Sequence, residues 1–215
     1  ALSECEHDSI FVLTDEVTHD LCLPLVKDFF CLKGAPVITI GSTDVHKDLQ
    51  SLTHVWQALD EGGADRHSCL VNLGGGMVTD LGGFAASTFK RGIDFINIPT
   101  TLLSMVDASV GGKTGINFNG LKNEVGVFND SRYVILDTHF LRTLDDQNMR
   151  SGYAEMLKHG LISDEKTWAE LLRFDLGHPD LPRLQTLVAK SVQVKERVVK
   201  LDPHEKGLRK ALNYG

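Results

Sequence analysis

A strand that runs straight into three glycines, with a helix behind them, narrows the fold of this 215-residue chain more than any other feature. Residues 69–73 (CLVNL) read as a buried strand and end at Gly74, Gly75 and Gly76. Without Cβ atoms, such a turn bends sharply and lets a ligand approach the backbone. The helix expected over 78–89 aims its unpaired N–H groups and positive dipole end at the turn, which suits a pyrophosphate. Asp80, near the start of that helix, is placed to meet ribose hydroxyls or helix donors, and Gly82-Gly83 permit close packing on a neighbour. A ligand-free tight turn uses the same residues, and the spacing is not the G-x-G-x-x-G fingerprint of ordinary dinucleotide-binding folds.

Around this turn the first 150 residues alternate between short β-rich runs and helical stretches. Strands are expected over 9–14 (SIFVLT), 36–40 (PVITI), 95–98 and 133–136 (YVIL), with helices over 23–32 and 49–59. That alternation implies parallel βαβ units. From Ser151 onward β-rich runs stop, and Tyr153, Met156, Leu157 and Leu161, then Trp168, Leu171 and Leu172, then 184–199, recur at helical spacing. Residues 175–182 (DLGHPDLP) read as a loop. The expected class is an α/β nucleotide-binding domain over 1–150, a parallel-type sheet with flanking helices, followed by the start of an all-α domain over 151–215. A helical unit of that size is marginal alone, so the native sequence is expected to continue beyond Gly215.

Charge restricts the partners. Lys and Arg number 22 against 29 Asp and Glu, a net charge of −7, which disfavours nucleic acid and anionic membrane surfaces. No apolar run approaches the ~20 residues of a membrane helix. Glu4, Glu6, His7 and Asp8 interrupt any apolar signal segment at the start. Cys5, Cys22, Cys31 and Cys69 form no CxxC pair and read as reduced thiols, so a cytoplasmic location is expected. Within this acidic chain, residues 107–117 (DASVGGKTGIN) form an unusually polar loop after 99–103 (PTTLL). Arg91, Lys113 and Lys122 are expected to bring cations together there for a phosphate or carboxylate, with Arg offering paired hydrogen bonds.

The stretches GGGMVTDLGGFAASTFKRG (74–92), IPTTLLSMVDASVGGKTGIN (98–117), LKNEVGVF (121–128), SGYAEMLKHGLI (151–162) and KGLRKALNYG (206–215) together resemble the 3-dehydroquinate synthase family of sugar-phosphate cyclases. The resemblance implies a dehydroquinate synthase-like fold and a homodimer whose site lies between a nucleotide-binding α/β domain and a helical domain. It implies NAD and a divalent metal, zinc or cobalt. The implied reaction closes 3-deoxy-D-arabino-heptulosonate 7-phosphate to 3-dehydroquinate with loss of phosphate, as a shikimate-pathway step of aromatic amino acid biosynthesis.

Position by position, the resemblance implies cofactor contacts from Gly74, Gly75, Gly76, Asp80, Thr100, Thr101, Lys122 and Thr143. It places Asp15 at the adenosine end. Asp44 and Lys47 match an acid–lysine pair on the adenosine ribose, although the family usually carries Glu where Asp44 stands. Substrate contacts are implied for Arg91, Asp107, Lys113, Asn123, Lys158, Lys195, Arg209 and Asn213, with Lys113 also reaching the cofactor side. Glu205 matches an acid/base position and Glu155 the carboxylate metal ligand. The family's two histidine ligands follow the LNYG segment, where this sequence ends. His159 lies one helical turn from Glu155, but the family usually has Tyr there, so a packing or supporting role is expected rather than ligation.

In the implied chemistry NAD takes a hydride from a hydroxyl-bearing ring carbon and returns it after phosphate leaves. A metal- and NAD-dependent polyol dehydrogenase of the glycerol dehydrogenase type is the alternative class, and GGKTGIN with Lys122-Asn123 argues against it. Valiolone- or deoxyinosose-forming cyclases are nearer rivals, and tend to lose the paired glycines that stand here as Gly111-Gly112. The 215 residues by themselves are also compatible with an inactive cofactor-binding fragment.

Overall fold

The computed structural model describes residues 7–214, so Cys5 and Gly215 lie outside the described residues. Five parallel strands form one sheet in the order β2-β1-β3-β4-β7: β1 (Ile10–Asp15), β2 (Val37–Ile40), β3 (Cys69–Gly74), β4 (Asp94–Pro99) and β7 (Tyr133–Val134). Parallel sheets are covered on both faces, and β3 is buried at every residue. One face carries α2 (Leu49–Glu61) and α3 (Gly76–Thr88), packing Leu52, Val55, Leu59, Val78 and Leu81 on Phe11, Leu13 and Leu70. The other face, with Val12, Val71 and Ile96, shares a core with Met156, Leu184 and Val188 of the helices that follow.

Those helices are α4 (Asp146–Ser163), α5 (Glu165–Leu172) and α6 (Leu181–Leu201). Each starts at an aspartate, Asp145, Asp164 or Asp180, whose side chain accepts a backbone N–H of the first turn. Helix α4 runs through residues 150 and 151 without a break, and the core it joins includes sheet residues. Among the described residues no helix is long and apolar enough to cross a membrane.

Three expectations need correction. Residues 23–32 are not a helix. After α1 (Glu16–Leu21), a 3-10 turn at Leu23–Leu25 gives way to further turns. Val26, Phe29 and Leu32 donate to residues three back, so no continuous α ladder forms. Cys22, Leu23, Val26 and Leu32 are buried while Phe30 is 99% exposed, so the apolar residues do not make a single helical face. Strand 133–136 shortens to Tyr133–Val134 at the sheet edge.

The polar stretch 107–117 is not an open loop either. A π-turn at Ser104–Ala108 leads into a hairpin of β5 (Lys113–Phe118) and β6 (Leu121–Phe128). Asn119 and Gly120 both take positive φ, 50° and 77°, the geometry of the tight turn that Asn-Gly favours between strands.

The sheet order also locates a crevice. From β1 the chain goes outward to β2, then returns to pair β3 on the other side of β1. Ligands of open α/β sheets bind outside the carboxyl ends of strands at such a reversal. Asp15 and the glycine turn stand at those ends, at the close of β1 and β3.

Candidate active site

Gly75 is the N-cap of α3 and makes no side-chain cap, so the first-turn N–H groups stay available at the crevice. The glycines are also required by packing. A Cβ on Gly74 would lie 2.6 Å from Val78 Cγ2, one on Gly75 3.2 Å from Thr101 Cγ2, and one on Gly76 3.0 Å from Ala108. Thr100 donates its backbone N–H to the Gly74 carbonyl at 2.9 Å, placing the threonine pair beside the turn. The Thr101 hydroxyl bonds Ser104 Oγ at 2.9 Å.

At the end of β1, Asp15 caps α1, accepting from Thr18 N at 2.8 Å and Thr18 Oγ1 at 3.1 Å. Thr143 donates to the Phe140 carbonyl at 2.7 Å and faces Cys22 Sγ at 3.6 Å. The sequence reading missed Cys22 as a site neighbour. Burial pushes its thiol up, against hydrogen bonds from Thr143 and Thr100, so it joins residues from α1, β4 and the α4 approach.

Asp44 and Lys47 take different partners. Asp44 faces Lys122 Nζ at 3.0 Å and Asn117 Nδ2 at 3.3 Å, on the surface. Lys122 holds its carboxyl below the usual range. Lys47 turns inward, 4% exposed, with its ammonium 2.5 Å from Asp80 Oδ2 and 2.5 Å from Asn123 Oδ1. Asp80 therefore does not cap α3; its side chain, 20% exposed, is turned to Lys47 at the cavity edge. Burial pushes its carboxyl up to about 6, against the attraction of Lys47. This knot ties the segment after β2, α3 and the hairpin into one body. The Asn117 backbone N–H adds a bond to the Lys47 carbonyl at 2.8 Å, and Asn117 Oδ1 accepts from Asn123 N at 3.0 Å.

Next to the knot opens a cavity of about 520 Å³ lined by Asp80, Asp107, Lys113, Asn123, Lys195, Glu205, Arg209 and Asn213. Lys113, from β5, pairs with Glu205, which also accepts from Asn213 Nδ2 at 2.6 Å. Those two hydrogen bonds hold Glu205 below the usual carboxylate range. Lys195, from α6, pairs with the Asp107 carboxylate and donates to the Asp107 carbonyl at 2.5 Å. Burial lowers the Lys195 ammonium, partly offset by Asp107. Arg209, 2% exposed, donates to Pro203 O at 2.7 Å and Gly111 O at 2.9 Å and lies over the Phe128 ring at 5.9 Å. Its guanidinium makes no ion pair among the described residues, although its charge acts on Asp202 and Glu205 nearby.

Behind this wall, on α4, Lys158 bonds the Leu212 carbonyl at 2.5 Å and Glu155 Oε1 at 2.6 Å. Burial would raise the Glu155 carboxyl, but His159 and Lys158 together hold it below its ordinary value.

The expected cluster of Arg91, Lys113 and Lys122 does not form. Arg91 is exposed beyond the C-terminal end of α3, while the cavity sits at the N-terminal half of that helix. From Asp80 to the helix end at Thr88 alone spans ~12 Å at 1.5 Å per residue. Lys122 is engaged at the hairpin tip by Asp44. Instead the cavity draws Lys113, Lys195 and Arg209 from β5, α6 and the 3-10 turn Leu208–Asn213.

A parallel sheet with a glycine turn at its reversal point, backed by helices that carry a charged cleft, defines a dinucleotide-type α/β protein with a second helical layer. The comparisons narrow this class. Residues 37–151 match the profile described as 3-dehydroquinate synthase N-terminal, and 152–215 that described as 3-dehydroquinate synthase C-terminal. The chain belongs to the 3-dehydroquinate synthase family. It is 55% identical over 214 residues to a 3-dehydroquinate synthase of Parabacteroides distasonis, across 100% of this chain and 61% of that protein. It therefore spans about three-fifths of that relative's length. A solved 2-deoxy-scyllo-inosose synthase complexed with carbaglucose-6-phosphate, NAD+ and Co2+ superposes with a TM-score of 0.88 at 27% identity, over 97% of this chain and 59% of that one. The 2-epi-5-epi-valiolone synthase ValA of Streptomyces hygroscopicus, with NAD+ and Zn2+ bound, gives 0.84 at 27% identity, over 99% and 61%.

Proposed function

We propose that these residues supply the cofactor crevice and much of the substrate cleft of an enzyme that converts 3-deoxy-D-arabino-heptulosonate 7-phosphate to 3-dehydroquinate with loss of phosphate, a carbon–oxygen lyase using NAD transiently. The observation that carries this reading is the convergence of Lys113, Lys195, Arg209, Asn123 and Asn213 on one cavity beside the α3 N-terminus. The free N–H groups of α3 and the glycine turn fit a dinucleotide pyrophosphate. Bound NAD supplies a hydride acceptor that is restored within each turnover. Lys113 and Asn123 hold the phosphate, and Arg209, Lys195, Lys158 and Asn213 hold the carboxylate end and hydroxyls. Glu205, at the cavity wall between Lys113 and Asn213, exchanges a proton with the substrate once phosphate takes its place on Lys113. Asp107 orients Lys195.

For a divalent cation, zinc or cobalt, Glu155 fits the part of one carboxylate ligand. Its Oε1 is occupied by Lys158 and faces His159, whereas Oε2 has no partner among the described residues. No group of three or more His, Cys, Asp or Glu able to hold a metal occurs among the described residues, and Glu155 is the carboxylate that the family resemblance assigns to the metal. The cation would supply Lewis-acid polarisation of a substrate hydroxyl. We divide the roles at 150/151, with cofactor contacts before it and the metal ligand after it. A homodimer is supported by the outward-facing Leu25, Phe29 and Phe30, which line one apolar groove. A cytoplasmic location is supported by Cys22 and Cys31, which carry no disulfide.

The test is a net-redox assay on the full-length protein with this substrate. Phosphate release without accumulating NADH supports the reading. Accumulating NADH with no phosphate contradicts it.

A further inference from the structure

The seam between α4 and α6 is apolar for most of its length, with Met156 and Val188 each at 0% exposure and Leu187 at 2%. One polar set interrupts it. His159 on α4 is 1% exposed, and its Nδ1 lies 2.6 Å from Ser191 Oγ on α6. Ser191 is itself buried, at 3%. The other ring nitrogen, Nε2, faces Glu155 Oε1 at 3.2 Å, one helical turn back. Neither Nε2 nor Oε1 completes a well-formed hydrogen bond, and both are buried.

One tautomer would complete this chain of contacts. A carboxylate oxygen is an acceptor only, so the contact at 3.2 Å becomes favourable when the nitrogen facing it carries the proton. A neutral imidazole then has its lone pair on Nδ1, which accepts the Ser191 hydroxyl proton. Oε1 is thereby confined between the His159 N–H and the Lys158 ammonium at 2.6 Å. Oε2 is the oxygen left without a partner among the described residues.

We propose that Ser191 and His159 form a positioning relay that holds the Glu155 carboxylate by Oε1 and leaves Oε2 as the donor for a divalent cation. The relay rests on the metal-ligand reading of Glu155 given above. It makes His159 a positioning residue rather than a ligand, because its Nε2 is turned to the carboxylate. Groups that orient a ligand in this way are worth about 10–100-fold in metal affinity.

Two measurements test the relay. In the metal-free full-length protein, long-range 1H–15N spectra of the His159 imidazole are expected to show the proton on Nε2. Ser191→Ala is expected to mix the tautomers. A proton on Nδ1 in the parent chain overturns the relay. In the full-length protein, Co2+ is titrated and followed by its visible absorption. His159→Phe is expected to weaken binding about 10–100-fold and to alter the cobalt bands. His159→Gln, whose amide N–H can stand in for Nε2–H, is expected to recover most of the affinity. Ser191→Ala, which keeps the imidazole packed, falls between. Glu155→Gln should lose the site. Unchanged cobalt binding in Glu155→Gln overturns the metal reading and the relay with it. Lost binding in Glu155→Gln beside unchanged binding in His159→Phe overturns the relay alone.

Discussion

The sheet wall and the helical wall of the cleft treat a carboxylate in opposite ways. On the sheet wall, burial outweighs the attraction of Lys47 and pushes Asp80 up to about 6. On the helical wall, the hydrogen bonds of Lys113 and Asn213 outweigh burial and hold Glu205 down. The partners differ as well. The Lys47 side chain is 5% exposed, while that of Lys113 is 49% exposed. A locked pair in low dielectric sets the position of a scaffold, because neither charge can leave the other without a desolvation penalty. An open pair can exchange partners, since water screens the loss. The proposed cofactor side thus offers backbone N–H groups on a frame tied by the Lys47–Asp80 pair. On the proposed substrate side, Lys113 is the exposed cation whose present partner, Glu205, an arriving anion can displace.

Unequal costs for breaking the two pairs give the largest expected effect. Asp80→Ala leaves the Lys47 ammonium buried with Asn123 alone and should cost about 3 kcal/mol in urea denaturation. Glu205→Ala frees an exposed lysine and should cost under about 1 kcal/mol. Equal costs would erase the distinction between the walls. A next test concerns turnover. Lys113→Ala in the full-length protein should lower kcat roughly a hundredfold, as for loss of one donor to a developing anion, with an unchanged melting temperature. Near-normal kcat would remove Lys113 from the phosphate site.

A smaller effect should appear in pH dependence. Folded Asp80 titrates near 6 and the unfolded residue near 3.9, so between these values the folded state binds more protons. Its contribution is largest at the acid end and declines as pH rises through about 6. Glu205 has the reverse sign: its contribution is present above its unfolded value and is lost as pH falls through its lowered folded value. Relative to Asp80→Asn, the parent chain should therefore gain stability on acidification across the Asp80 window, while relative to Glu205→Gln it should lose stability only below the ordinary glutamate value. Parallel curves would contradict the opposite shifts. The smallest expected change is in the hairpin that joins the walls. Gly120→Ala, at φ 77° with nothing within 4 Å of a Cβ, should cost about 1 kcal/mol through backbone strain alone.

The sheet side was the more legible in sequence. Apolar runs such as 69–73 and the glycines after them carry a local signal, and β3, α3 and the turn formed close to where that signal put them. Residues 23–32 misled because their apolar residues are dense without being periodic. The hairpin was hidden by its own polarity. Lys113 and Asn117 read as an open loop, and Asn119-Gly120, the available signal for a turn between strands, was passed over. Pairings such as Lys113 with Glu205, 92 residues apart, leave no trace in local sequence. Nor does the inward turn of Lys47, which takes it from the Asp44 beside it to Asp80 on α3. Arg91 was misplaced for a simpler reason, since the length of α3 already sets it at the far end from the glycine turn.

The separation of a backbone-built cofactor crevice from a side-chain-built substrate cleft is tested most directly by titrating NAD calorimetrically into three chains. These are the parent, Gly75→Val, which fills the turn against Thr101, and Asn213→Ala, which alters the cleft wall. NAD should bind the parent and Asn213→Ala alike and fail to bind Gly75→Val. Undiminished binding to Gly75→Val, or its loss in Asn213→Ala, would contradict the account.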